Sequence, residues 1–222
     1  MEATTKRNIV FLTLLSWCAF LLAVRFHRTG SLAFAFMVWN LFLAMIPLFA
    51  ADALRRAHER RALMLTQLGW FMLWLLFLPN APYILTDFVH LRTRDSVPLW
   101  YDIALLLSCA GTGLLLAYSS LVEVQAVIRE RFSAVASWFV AVTALVLSGF
   151  GIYLGRFLRL NSWDVLANPM DLLAQIAVRA ANPLAYPRTI FVTVIYGMIL
   201  TLGYVALRVV FVGSVQEEQS ED

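Results

Sequence analysis

Residues 103–122 read IALLLSCAGTGLLLAYSSLV, an apolar run without one charged side chain. The hydrocarbon core of a bilayer takes roughly 20 mostly apolar residues to cross as an α-helix, and this run has that length. Working outward, residues 8–24, 32–51, 62–78, 133–154 and 189–212 qualify on the same grounds. None of them sustains the period-2 alternation of a barrel strand. The pattern predicts an all-α polytopic membrane protein, a bundle of about six transmembrane helices with short interfacial helices on one face. It is expected as a single transmembrane domain over residues 1–215, followed by an acidic disordered tail at residues 216–222.

Composition agrees. Of 222 residues, 61% are hydrophobic and 14% charged, with a mean hydropathy of +0.77. Soluble domains are roughly 45–50% apolar and about 25% charged. The excess argues against a cytosolic enzyme, a nucleic-acid-binding domain and a secreted disulfide scaffold. The net charge of +3 does not point to nucleic acid, because the cations sit in short clusters between apolar runs, where membrane topology is written. Cys18 and Cys109 both fall inside apolar runs and read as small hydrophobic residues. The first run follows Lys6 and Arg7 and leads into Arg25-Phe26-His27-Arg28 without a small-x-small cleavage site, so it reads as a retained anchor.

Six spans place both termini on one side, here side A. Lysine and arginine divide nine to side A and eight to side B, but four of the nine are packed into Asp52–Arg61. That density makes side A the cytoplasmic face of an inner membrane, with both termini cytoplasmic. The two long connections, 79–102 and 155–188, fall on side B.

Those connections carry most of the chemistry. After Phe77-Leu78, Pro79 is expected to end or kink the third span and Pro82 to start a new helix. Tyr83, Asp87, His90 and Arg94 then follow helical spacing, with Ile84, Phe88 and Leu91 on the other face. Asp102 opens the fourth span beside Trp100 and Tyr101. The fifth span leaves through Gly151 and Gly155, then Arg156 and Arg159, which share a face if the helix continues, then Asn161 and Asp164. A further amphipathic helix is expected between Asn168-Pro169 and Asn182-Pro183, with Leu172, Leu173, Ile176, Ala177 and Ala180 on one face and Asp171, Gln175 and Arg179 on another.

Polar and charged groups near hydrocarbon are costly unless paired or hydrated, so their concentration on one face is a functional hypothesis. Asp87, His90 and Asp102 are the candidate catalytic residues, with Asp87 or His90 as general base. Asn80, Tyr83, Tyr101, Arg156, Arg159, Asn161 and Asp164 are the candidate ligand-binding residues. Arg156 and Arg159 offer forked donors for phosphate or carboxylate. Asp87 and His90 form D-x-x-H, a weak divalent-metal signal. The bland alternative is that Asp87 or Asp102 neutralises Arg156 or Arg159 in a structural ion-pair network. Inside the bundle, Ser108, Thr112, Ser119 and Glu123 make a stripe of polar groups along the fourth span. Thr193, Gly197, Thr201 and Tyr204 make another along the sixth, and Asn40 lies in the second. These stripes read as interhelical packing or as a polar path.

The stretches FLPNAPY at 77–83, Thr86-Asp87, His90-Leu91, Trp100-Tyr101-Asp102 and YLGRFLRLNSWD at 153–164 resemble a family of bacterial integral membrane proteins catalogued as a domain of unknown function. The resemblance runs from about the second span to the sixth. It implies a multi-span inner-membrane protein and carries no assigned activity, substrate, cofactor or catalytic residue.

The sequence therefore predicts an integral membrane protein with a polar site on one membrane face, surrounded by membrane lipids and binding an anionic small molecule or lipid headgroup. A transporter or permease subunit using the polar stripes is the alternative, and a non-catalytic envelope assembly or scaffold protein is the third reading. No cofactor and no protein partner is named by the residues.

Overall fold

The computed structural model describes residues 2–92, 97–160, 162 and 164–212; among them the chain is helical, with no strand. In chain order the elements begin with α1 (Glu2–Thr29), α2 (Phe36–Glu59) and α3 (Met64–Phe77), then α4 (Asn80–Tyr83), which runs into a 3-10 turn over Ile84–His90. They continue with α5 (Leu99–Arg131), α6 (Ala134–Leu158), α7 (Asp164–Ala167), α8 (Pro169–Ala181), a 3-10 turn over Pro183–Ala185, and α9 (Pro187–Leu207), whose last turn widens over Arg208–Val212. Six helical spans among the described residues are long and apolar enough to cross a membrane: Thr4–Thr29, Phe36–Glu59, Met64–His90, Leu99–Arg131, Ala134–Leu158 and Pro187–Val210. The expected all-α, multi-span architecture is thus present. The acidic tail at 216–222, together with Arg94, Asn161 and Trp163, lies outside the described residues.

Most helices overrun the apolar windows, because helix continues through polar residues at the span ends. The start of the second is different. It begins at Phe36, not near Leu32, because the chain must first turn. Gly30 adopts φ +60°, a left-handed conformation that glycine takes without a Cβ penalty, and so ends α1. Its N–H reaches the Phe26 carbonyl at 2.8 Å. The Thr29 hydroxyl accepts from the Ser31 amide and the Ser31 hydroxyl from the Ala33 amide, which satisfies the turn locally.

The segment after Pro82 departs from expectation. Over Ile84–His90 the backbone is a 3-10 turn, with three residues per turn. Residues three apart therefore eclipse, and Ile84, Asp87 and His90 share an edge that an α-helix would have split. Ile84 and Asp87 are buried, while His90 and Val89 are exposed. The α6 C-terminus also departs. The helix stops at Leu158 and Arg159 takes φ +60°, with the Leu160 N–H bonded to the Leu154 carbonyl. Arg156 and Arg159 therefore do not continue along one helical face.

The chain divides into two compact units, Met1–Ser133 and Ala134–Asp222. In the first, α5 packs against α1, α2, α4 and the 3-10 turn. α4 approaches α5 tightly at Gly113, where a Cβ would lie 2.5 Å from the Ala81 carbonyl oxygen. In the second, α6 packs on α9. A Cβ at Gly149 would lie 2.5 Å from the Thr193 carbonyl oxygen, and one at Gly197 would lie 3.1 Å from the Val146 Cα. This is the small-residue crossing by which membrane helices approach without a hydrophobic driving force. It falls at Gly149 and Gly197.

The surface is inverted relative to a soluble protein. On α9, Phe191, Val194, Met198 and Leu202 are exposed along one stripe, while Gly197, Leu200 and Tyr204 are buried. Apolar side chains outside and small or polar ones inside match a helix solvated by acyl chains.

Candidate functional site

In the first unit the two candidate carboxylates are buried, and each has a defined partner. Asp102, in the first turn of α5, receives a fork from Arg25 of α1. Arg25 Nε donates to Oδ1 at 2.8 Å and Nη2 to Oδ2 at 3.2 Å, with the side chains 2% and 3% exposed. The guanidinium also lies over the Phe34 ring, 4.3 Å from its centroid. Its Nη1 is buried without a hydrogen-bond partner. The two residues are 77 apart in sequence, and they meet because α1 packs on α5. The neighbouring Tyr101 hydroxyl donates to the Leu21 carbonyl at 2.7 Å, a second tie between the same helices.

Asp87 accepts a hydrogen bond from Asn40 Nδ2 of α2 at 3.0 Å. His90 Nδ1 sits 3.2 Å from the Asp87 backbone carbonyl and 3.8 Å from its carboxylate. The His90 ring also meets Phe36 at 5.1 Å, so the first turn of α2 receives the 3-10 turn. Asn80 Nδ2 donates to the Phe77 carbonyl at 2.9 Å, holding the break that Pro79 introduces. Tyr83 is half-buried just before the 3-10 turn, and its carbonyl accepts from the Thr86 hydroxyl at 2.7 Å. Among the described residues no group of three or more His, Cys, Asp or Glu side chains is placed to hold a metal ion.

The other end of this unit carries a cross-helix network. Arg7 Nη2 meets Asp52 and Arg7 Nη1 meets Glu123, both at 2.7 Å. Arg55 meets Glu123 at 2.8 Å and Glu59 at 3.1 Å. The polar stripe of α5 is likewise engaged. Ser108 accepts from the Trp17 indole at 3.2 Å, Thr112 lies 3.5 Å from the Cys18 sulfur, and Glu123 holds the two arginines.

The second unit carries a further group of arginines. Arg159, Arg179 and Arg188 form no ion pair among the described residues. Arg179, near the end of α8, sits against two aromatic rings, with Cζ 4.9 Å from the Tyr186 centroid and 5.8 Å from that of Tyr153. Its Nη1 donates to the Gln175 carbonyl at 2.8 Å and to the Gln175 side chain at 2.7 Å. Its Nε donates to the Tyr153 hydroxyl at 3.4 Å. Arg188, in the first turn of α9, lies 5.6 Å from the Phe157 centroid. Arg156 is half-buried in the last turn of α6, Arg159 is exposed, and Asp164 begins α7.

A family model described as "Protein of unknown function (DUF1361)" matches residues 39–202. The chain belongs to the DUF1361 family. No match was found to any curated protein or to any solved structure. The stretch matched to DUF1361 includes Asp87, His90, Asp102, Arg156, Arg159, Arg179 and Arg188. Arg7 and Arg25, which tie α1 to the rest, precede it.

Three participants were not singled out as site residues from sequence. Arg25 was counted as a topological charge, and its pairing across 77 positions leaves no local signature. Arg188 was counted in the same way. Arg179 did carry a signal: Gln175 and Arg179 are four apart on the polar face of an amphipathic helix, the spacing at which side chains meet.

Proposed function

We propose that this protein is a multi-pass protein of the bacterial inner membrane whose second unit binds an anionic lipid headgroup or lipid-linked anion. The reading rests on the surroundings of three arginines in the second unit, set beside the buried pairs of the first. Arg7, Arg25 and Arg55 of the first unit are each committed to a carboxylate. Arg159, Arg179 and Arg188 have none among the described residues, and two of them are seated on aromatic rings. A guanidinium close to hydrocarbon is costly without a counter-charge. Basic groups beside membrane helices meet that requirement by recruiting anionic headgroups. With side A cytoplasmic, the site faces the outer leaflet.

In phosphatidylcholine nanodiscs doped with dansyl-phosphatidylglycerol, tryptophan-to-dansyl transfer should exceed that to dansyl-phosphatidylcholine. It should fall in the Arg156→Gln/Arg159→Gln variant. Equal transfer to both lipids in the wild type would end this reading. The transporter alternative has less support, because Ser108, Thr112 and Glu123 of the α5 stripe are bonded to α1 or α2. A cysteine placed at Thr112, in a Cys18→Ala/Cys109→Ala background, should resist a polar thiol reagent; rapid labelling would revive the aqueous path.

A further inference from the structure

We infer that Arg179 and Arg188 form a seat for a single phosphate group, with Tyr153 as the residue that positions Arg179. This deepens the anionic-ligand reading above and rests on it. The argument begins with the donors of one guanidinium. Arg179 has five N–H groups. The Nη1 pair goes to Gln175 and the Nε proton to Tyr153. Nη2 makes no hydrogen bond among the described residues. The plane is fixed against Tyr186 and Tyr153. What remains is Nη2, whose N–H groups are held in a fixed orientation and can donate to a phosphate oxygen.

A second positive charge comes to the same place. Arg188 lies 5.6 Å from the Phe157 centroid, and the Phe157 ring stacks on Tyr153 at 5.4 Å. Two guanidinium groups seated on one stacked aromatic pair, Arg179 on Tyr153 and Arg188 on Phe157, repel each other, and an anion between them relieves that repulsion. Tyr153 is 5% exposed, and its hydroxyl is the fixed point against which Arg179 is aimed. It lies five residues before the end of α6, about 7–8 Å along the helix axis. The exposed Leu173 of α8 offers an apolar surface for an acyl chain.

The test uses the full chain in dodecyl maltoside, which carries no phosphate. It is titrated with dansyl-phosphatidylglycerol and read by tryptophan-to-dansyl transfer, with dansyl-diacylglycerol as the phosphate-free control. Wild type should bind the phospholipid saturably and more tightly than the control. Arg179→Gln and Arg188→Gln should each weaken it about tenfold. Arg179→Lys, which keeps the charge and loses the fork, should weaken it severalfold, and so should Tyr153→Phe, with the unfolding midpoint of both unchanged. Displacement of the probe by inorganic phosphate would identify free phosphate as the occupant, and resistance to it would identify the lipid. If these variants bind as wild type while Arg156→Gln/Arg159→Gln loses binding, the seat is overturned and the wider reading survives. If wild type does not distinguish the two probes, both fall.

Discussion

Arg25 and Asp102 show how little a residue's type reveals before its partner is known. Arg25 reads in sequence as a topological charge after the first span. In the fold it is a buried fork on Asp102. Removing one member of a buried pair leaves the other uncompensated, at a cost of about 3–5 kcal/mol. Asp102→Asn and Arg25→Gln should each lower the unfolding free energy read from a denaturant titration by that amount. Arg25→Met combined with Asp102→Leu should recover most of it, since no charge is left stranded. A double variant as unstable as the singles would show that the pair is not the source of the loss.

Arg159 makes a second case at this scale. A non-glycine residue at φ +60° carries a strain of about 1 kcal/mol. Arg159→Gly should therefore leave the bundle as stable or slightly more so, while weakening retention of anionic lipid. The candidate cluster was only half legible for this reason. Residue types and span parity brought Asp87, His90, Asp102, Arg156 and Arg159 to notice, but parity cannot say which charges are already spent. Asp102 is spent on Arg25, and Asp87 accepts from Asn40.

At the scale of the elements, small residues decide where helices touch. Gly113 on α5 meets the Ala81 carbonyl of α4, and Gly149 on α6 meets the Thr193 carbonyl of α9. A Cβ at 2.5 Å from backbone oxygen cannot be absorbed by a rotamer change. Gly113→Ala and Gly149→Ala should each cost about 1–3 kcal/mol. Gly111→Ala, where a Cβ meets nothing within 4 Å, should be neutral or slightly stabilising. Thermal unfolding of the three variants in detergent checks the contrast, and equal effects would refute the assigned contacts. The spans themselves were readable, because apolar length is a one-dimensional property. The 3-10 turn over Ile84–His90 was not, since Pro79 and Pro82 announce a break without fixing whether three or four residues complete the next turn.

For the whole molecule, the low share of charged residues takes on a specific meaning. In the first unit, Arg7, Arg25 and Arg55 are drawn into pairs that tie α1, α2 and α5 at both ends. In the second, Arg179 of α8 and Arg188 at the start of α9 stand on aromatic rings, with no carboxylate partner among the described residues. The exposed apolar stripe of α9 supplies the lipid-facing counterpart. On the proposed orientation, which puts side A in the cytoplasm, a reporter fused after Asp222 should be active only as a cytoplasmic fusion; activity of an extracytoplasmic reporter there would reverse the assignment of leaflets.

The central claim, that the second unit holds an anionic lipid, is tested most directly by native mass spectrometry. The full chain would be released from micelles containing equal phosphatidylglycerol and phosphatidylcholine. The account predicts that one phosphatidylglycerol is retained preferentially on the wild type, and that the preference disappears in Arg179→Ala/Arg188→Ala. Equal retention of the two lipids on the wild type would contradict it.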